Sequence, residues 1–345
     1  MLIKISIILF LLAGAPFLSN DIQLSLQVSS LLFLLVLTFF KKFTYLELII
    51  MLVISGISLY NHEFRMVAIL LLIKNINYHH IRKYVKLYLF LNLLIVCITY
   101  VLFRTGYIVT ETFIRFDNNV REERYSFGFN HPNEFSLYLF FIILAYMYLR
   151  SNGIRYIEQF IILLISIVIF QYTDSRVLIV SILYTLIVYN LFRKKLLKKF
   201  KWLFVNSFAL FLISSVIVTK LLHDNSLFVE VSSNRLLLWN YYLSKVTLFG
   251  NSDIDLALDN GYISLLYRNG LLIALILIYL FYKIFKYLFL SRKWIEIILI
   301  NSMLFANLFE SLIYSVQYNF LVLFLSIIFV GRYIPKKSNK DLGSD

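Results

Sequence analysis

The sequence predicts an all-α, polytopic integral membrane protein, and three observations carry that reading. The chain of 345 residues is 61% hydrophobic with a mean hydropathy of +0.81, well above the roughly 45–50% apolar content of soluble domains. Its apolar residues fall in continuous runs rather than in period-2 alternation, which excludes a membrane β-barrel. Its charges gather in the short breaks between those runs.

About twelve runs approach the roughly 17–25 apolar residues that a helix needs to cross a bilayer. They lie near 2–19, 22–40, 44–60, 64–78, 84–103, 133–149, 156–171, 177–192, 200–222, 261–282, 295–309 and 315–331. The fourth, "FRMVAILLLIKNINY", is the shortest. In the first, "AGA" at 13–15 resembles a signal-peptide cleavage site. Pro16 follows at once and Lys4 is the only charge ahead of it, so we expect this run to stay as a transmembrane helix. The single Cys97 lies inside the fifth run, which allows no intramolecular disulfide and gives it a packing role.

A net charge of +14 suggests nucleic acid at first sight, but the distribution of the charges points to topology instead. Sorted by alternate breaks, one class holds Lys4, Lys41, Lys42, Lys74, Arg82, Lys83, Lys86, Arg150, Arg155, the run "RKKLLKKFK" at 193–201, Lys283, Lys286, Arg292, Lys293 and the tail 332–345. That class has 23 of the 33 basic residues and only five of the 19 acids. Cytoplasmic loops carry the Lys/Arg excess, so both termini are expected inside and no nucleic-acid partner is called for.

This parity turns outward the "HEFR" turn at 62–65, the "TDSR" break at 172–176, the "FESLIYS" break at 309–315, and two long segments, 104–132 and 223–260. Long loops of ordinary composition are uncommon unless functional. There is no internal repeat and no Pro- or Gly-rich linker, so residues 1–345 read as one membrane domain. "HPNE" is a helix start, with His131 at the N-cap, Pro132 at N1 and Glu134 at N3. The cap does not account for Arg115, Arg121 and Arg124 just upstream. Arginines beside a helix N-terminus suit phosphate oxygens, although Glu122 and Glu123 are near enough in sequence to neutralise some of them.

Each remaining outward residue has a structural reading beside the functional one. Arg176 follows Asp174 and Ser175 and is placed to snorkel. Arg235 and Trp239 are four residues apart and share a helix face, and a membrane-interface position accounts for Trp239 alone. Asp259 sits where it can cap the next helix. Glu310 is an acid at membrane depth, a functional candidate by default. "DID" at 253–255 mimics a nucleotide-sugar metal motif but faces outward, away from the cytoplasmic nucleotide sugars. No metal or other cofactor is assigned.

Taken in order, these pieces resemble the O-antigen polymerase and ligase superfamily, and within it the polymerases of capsular and exopolysaccharides. The pattern is Arg124, Phe127-Gly128 and "HPN" (His131, Pro132, Asn133), then Ser175-Arg176. Arg235 and Trp239 follow, then Phe249-Gly250, then Asp259, Asn260, Tyr262, Leu266 and Gly270, and finally Glu310. Where the ligase branch has His before the Asn, this chain has Asp259, which favours a polymerase and leaves the base to be identified.

The resemblance implies a GT-C-like, metal-independent glycosyltransferase in the bacterial plasma membrane. Its substrates would be undecaprenyl-diphosphate-linked oligosaccharides, with a flippase and a chain-length regulator as partners beside the bilayer itself. It implies diphosphate binding by Arg124, Arg176 and Arg235, and catalysis by Asp259 first, then His131 and Glu310. Trp239, Asn133 and Asn260 would contact substrate. A flippase or other transporter is the alternative from another class, requiring polar groups at the bilayer midplane and broken helices. A ligase-like glycan transferase is the alternative within the family.

Overall fold

The computed structural model describes residues 2–109, 113–117, 120–150, 153–193, 199–232, 234–252, 258–315 and 317–330, with side chains of 113–117, 120–122, 231 and 330 left aside. The "DID" at 253–255, most of the basic run 193–201 and the tail 332–345 lie outside these residues, as do the side chains of Arg115 and Arg121.

Helical structure covers part of every predicted run, and the described residues are all-α apart from one hairpin. α1 (Leu2–Leu12) and α2 (Asn20–Phe39) pack side by side, Ser30 donating to the Ser6 carbonyl at 2.9 Å. α3 (Tyr45–Tyr60) and α4 (Phe64–Asn75) follow, then a 3₁₀ turn (Tyr78–His80) leads into α5 (Ile81–Arg104). In the long segment 104–132, β1 (Phe113–Asp117) and β2 (Val120–Arg124) pair antiparallel in a register that sets Arg115 opposite Glu122. α6 (Pro132–Leu149), α7 (Tyr156–Thr173) and α8 (Arg176–Arg193) are each 18 residues long. The run 200–222 is interrupted at Asn206 into α9 (Lys201–Val205) and α10 (Ser207–Leu222). The second long segment, 223–260, carries α11 (Ser226–Val231) and α12 (Arg235–Ser244). α13 (Gly261–Leu290) and α14 (Trp294–Ala306) follow, and the last run forms a 3₁₀ segment (Phe320–Ser326) and α15 (Ile327–Val330).

Among the described residues, six helices are long and apolar enough to cross a membrane: Asn20–Phe39, Tyr78–Arg104, Pro132–Leu149, Tyr156–Thr173, Arg176–Arg193 and Gly261–Leu290. Some of the shorter helices are short for a physical reason. α4 and α14 are buried along almost their whole length, and the 3₁₀ segment is buried throughout. Irregular or short helical backbone is tolerated at membrane depth where protein rather than lipid surrounds it. Asn319 supports the 3₁₀ start, accepting from the Leu321 N–H at 3.1 Å and donating to the Leu312 carbonyl at 2.9 Å. α2 and α7 instead present exposed Leu24, Leu32, Val36, Ile157, Ile161 and Leu164. Cys97 is also exposed, on the outer face of α5 rather than in the packed interior.

α13 is not continuous. Gly270 sits at φ 81°, ψ 171°, inside the residues that read as one apolar run. The backbone groups freed there are taken up by a turn at 247–251: Leu271 and Leu272 donate to the Thr247 and Leu248 carbonyls at 3.1 Å, and Asn251 donates to the Tyr267 carbonyl at 2.9 Å. A Cβ on Gly270 would stand 2.4 Å from both the Gly250 nitrogen and the Leu248 oxygen, so only glycine fits.

Candidate functional site

Four of the segments that the charge pattern predicts to face outward meet at one end of α8 and α10. β2 delivers Arg124, and the next residue, Tyr125, donates its N–H to the Tyr172 carbonyl at the end of α7 (2.9 Å). α7 closes on Asp174 in the left-handed region (φ 45°), and α8 begins two residues later at Arg176. The Arg124 guanidinium meets this turn, donating from Nε to the Thr173 carbonyl (2.9 Å), with the Asp174 carboxylate 4.0 Å away. Helix C-termini leave carbonyls unsatisfied, so Arg124 caps α7 as well as facing the site.

α6 starts as the sequence predicts. His131 at the N-cap accepts the Asn133 N–H on Nδ1 at 3.1 Å, and Pro132 occupies the first helical position. The Asn133 side chain then links two distant segments. Its Oδ1 accepts from Arg124 Nη2 at 2.8 Å, and its Nδ2 donates to Glu310 Oε1 at 2.6 Å.

From the other side, Arg235 Nε lies 3.1 Å from Asp259 Oδ2. Asn260 caps α13, accepting from the Tyr262 and Ile263 N–H groups at 3.0 and 3.1 Å and donating to Ser215 at 2.6 Å. It is buried and does not line the cavity described below. Gly261 donates its N–H to the Asn307 carbonyl at 2.9 Å, and a Cβ there would collide with the Asn307 side chain at 2.1 Å. This close approach brings the Asp259 segment against the 307–310 turn that carries Glu310.

A cavity of about 400 Å³ lies at the centre, lined by Arg124, Arg176, Arg235, Asp174, Asn133 and Trp239 on its polar side. All three arginines singled out in the sequence reach it. Trp239 is half-buried with an Nε1 that has no hydrogen-bond partner among the described residues. Asp259, His131 and Glu310 border the cavity through Arg235 and Asn133. The apolar wall comes from Val177 and Val180 of α8, Val218 and Leu222 of α10, Phe228 and Phe309. α8 and α10 both pack on α14. There Tyr184 stacks on Phe305 at 3.9 Å, and Phe211 meets the same ring at 6.1 Å.

The electrostatics separate the three candidate acid–base groups. Burial, with Arg124 and Arg235 close by, pushes His131 down to about 4, so it is neutral at pH 7. With Nδ1 accepting from Asn133, its proton is on Nε2. Burial and the neighbouring Asp259 charge push Glu310 up to about 8 against the pull of Arg235 and Asn133, leaving it protonated. Asp259 is raised by burial, while Arg235 pulls it back.

Sequence reading missed a second polar cluster beside this site. Buried Glu63 binds both Arg65 (2.7 Å) and Arg268 (3.2 Å). The Arg65 guanidinium lies 5.7 Å from the Tyr314 ring centroid, and the Tyr314 hydroxyl donates to Asn269. The signal was present: Glu63 and Arg65 are in the outward "HEFR" turn, and Arg268 lies within the Asp259-to-Gly270 motif. Their pairing across 205 residues has no local trace.

No family model matches the chain, and no curated protein or solved structure matches it.

Proposed function

We propose that the chain is a glycan polymerase with about twelve transmembrane segments and both termini cytoplasmic, working at the outer face of a bacterial plasma membrane. It would transfer a growing glycan from undecaprenyl diphosphate to the next lipid-linked repeat unit. The observation that carries this reading is the convergence of Arg124, Arg176 and Arg235 on one cavity whose remaining wall is apolar and formed by α8 and α10. A diphosphate joined to a polyprenyl chain has that same division between a charged head and an oily tail.

In the reaction, the bond between the anomeric carbon and the diphosphate oxygen breaks, and its electron pair leaves with undecaprenyl diphosphate. The acceptor hydroxyl oxygen bonds to the anomeric carbon and its proton passes to Asp259. Guanidinium groups aimed at the leaving diphosphate stabilise the charge that develops there. Asp259 suits the base because His131 has its acceptor nitrogen occupied and Glu310 holds its proton. Glu310 and Asn133 keep Arg124 in place, and the α8–α10 groove receives the tail.

The break at Gly270 favours a second reading, a flippase, since transporters bind substrate at unwound helices. Here the freed backbone groups are filled by the 247–251 turn rather than turned to a cavity. One experiment separates the two. Arg176→Ala should abolish polymer while the protein remains in the membrane, with single lipid-linked units accumulating where an external lectin or hydrolase reaches them. Arg176→Lys should rescue incompletely because it lacks the bidentate fork. Units trapped on the inner leaflet would make the chain a flippase, and normal polymer in Arg176→Ala and Arg235→Ala would remove the diphosphate site.

A further inference from the structure

A second cavity, independent of that reading, lies at the opposite ends of the same helices. Its volume is about 670 Å³, and its lining includes Arg82, Arg150, Arg193, Arg292 and Lys293 against a single carboxylate, Glu296. These five cations come from four places in the fold: the start of α5, the end of α6, the end of α8 and the α13–α14 turn. Tyr148, Tyr189, Phe192 and Trp294 supply aromatic walls.

Partners within the chain account for only part of this charge. Arg150 pairs with Glu158 at 2.7 Å, and Arg82 donates to the Leu149 carbonyl at 2.8 Å. Arg193 lies in the last turn of α8, where a cation complements the helix dipole. Arg292 and Lys293 have the opposite setting, because they immediately precede α14. A helix N-terminus favours anions, and at α14 the chain supplies one, Glu296, in the first turn, bound to its own backbone N–H. α5 contributes Arg82, its second residue; the helix runs on from the Tyr78–His80 turn, whose start is capped by Asn77. Five cations thus line one space with one carboxylate, a surplus of four positive charges. Glu296 lines the cavity, accepts from the Tyr78 hydroxyl at 3.5 Å and feels the Lys293 charge, so it offsets one of the five cations.

We infer that this cavity binds a phosphate-bearing anion, supplied by the headgroup of a lipid in the same leaflet. The shared chemistry is a phosphate group held by guanidinium forks and an ammonium. The lipid source follows from the position of the cavity at the membrane-helix ends and from its aromatic walls, since basic pockets between transmembrane helices suit multiply charged headgroups.

The test uses the full chain in a neutral detergent with added diphosphatidylglycerol, phosphatidylcholine or inorganic pyrophosphate, read by thermal stability and native mass spectrometry. Diphosphatidylglycerol should raise the unfolding midpoint and remain bound, and phosphatidylcholine should do neither. Arg292→Asn with Lys293→Gln should weaken the lipid roughly 30-fold, from about fivefold per basic group removed. Asn tolerates the positive φ of 53° at position 292. Arg193→Gln gives an independent variant should the pair fail to fold, with a loss of about fivefold expected. Lys41→Gln with Lys42→Gln, exposed and outside the cavity, should leave binding unchanged. Equal weakening by the Lys41/Lys42 pair would reduce the effect to general basic charge and overturn the site. Stabilisation by pyrophosphate matching that by the lipid would overturn the lipid source.

Discussion

Arg124 and Arg176 face the same cavity but are held differently, and the difference sets what their loss does. Arg124 is mostly buried and bonded to Thr173, Asn133 and the Asp174 turn. Arg176 is exposed at the start of α8. Removing Arg124 therefore leaves buried acceptors without a donor, so its alanine variant mixes misfolding with lost chemistry, and Arg176 is the cleaner probe. The acids need a similar separation. Glu310 in the folded chain keeps a proton up to about 8, well above its ordinary value, whereas the unfolded chain releases it near 4.5. The folded state then binds more protons between these values, so stability falls as pH rises through that window and levels above it. Glu310→Gln resembles the protonated acid and still accepts from Asn133, so its unfolding midpoint should vary less across the window than that of the wild type. Parallel pH profiles for the two proteins would remove Glu310 as a proton-binding group. Asp259→Asn should instead slow chain growth by about 10²–10⁴-fold at little cost in stability.

The broken helix α13 shows which parts of the fold local sequence specifies. Apolar length located where the helices of the predicted runs lie but not their extent, since six of the described helices are long enough to span, and "HPNE" located the start of α6 at the residue that caps it. Gly270 was visible only as a motif position, because its φ of 81° is demanded by a turn some twenty residues earlier in the chain. The 3₁₀ form of Phe320–Ser326 was hidden for a related reason: it depends on burial by neighbouring helices, which an apolar run does not reveal. The three cavity arginines were legible as outward charges, but the Asn133–Glu310 link spans 177 residues and was not. Gly270→Ala tests the break directly. The new Cβ meets backbone, which cannot yield as a side-chain tip can, and φ strain adds on the order of 1–3 kcal/mol. The variant should lose thermal stability and detach the 247–251 turn. Gly56→Ala in α3, where a Cβ meets nothing within 4 Å, should be neutral or gain up to about 1 kcal/mol. Equal melting of the two variants would show that the turn does not depend on the break.

Across the whole molecule, three helices fix the relation between the two cavities. α6 runs from Asn133, which lines the arginine-rich site, to Arg150 just past its end in the basic cavity. α8 runs from Arg176 to Arg193, and α14 from Trp294 towards Phe309. An 18-residue helix is about 27 Å long, close to the roughly 30 Å hydrocarbon thickness of a bilayer, so the cavities belong to opposite membrane faces. On the proposed topology, the excess of Lys and Arg would put the basic cavity in the cytoplasm and the arginine–carboxylate site outside, where flipped repeat units would be displayed. Thiol labelling tests this with Cys97, itself exposed on α5, first replaced by Ser. A cysteine at Ser232, beside the arginine site, should react with an impermeant reagent in intact cells. One at Lys199, at the end of the basic run, should react only after the membrane is opened. Labelling of Lys199→Cys from outside would invert the chain and place the arginine site in the cytoplasm. That would exclude polymerisation of externally displayed units while leaving the pairing of the two cavities across the helices intact.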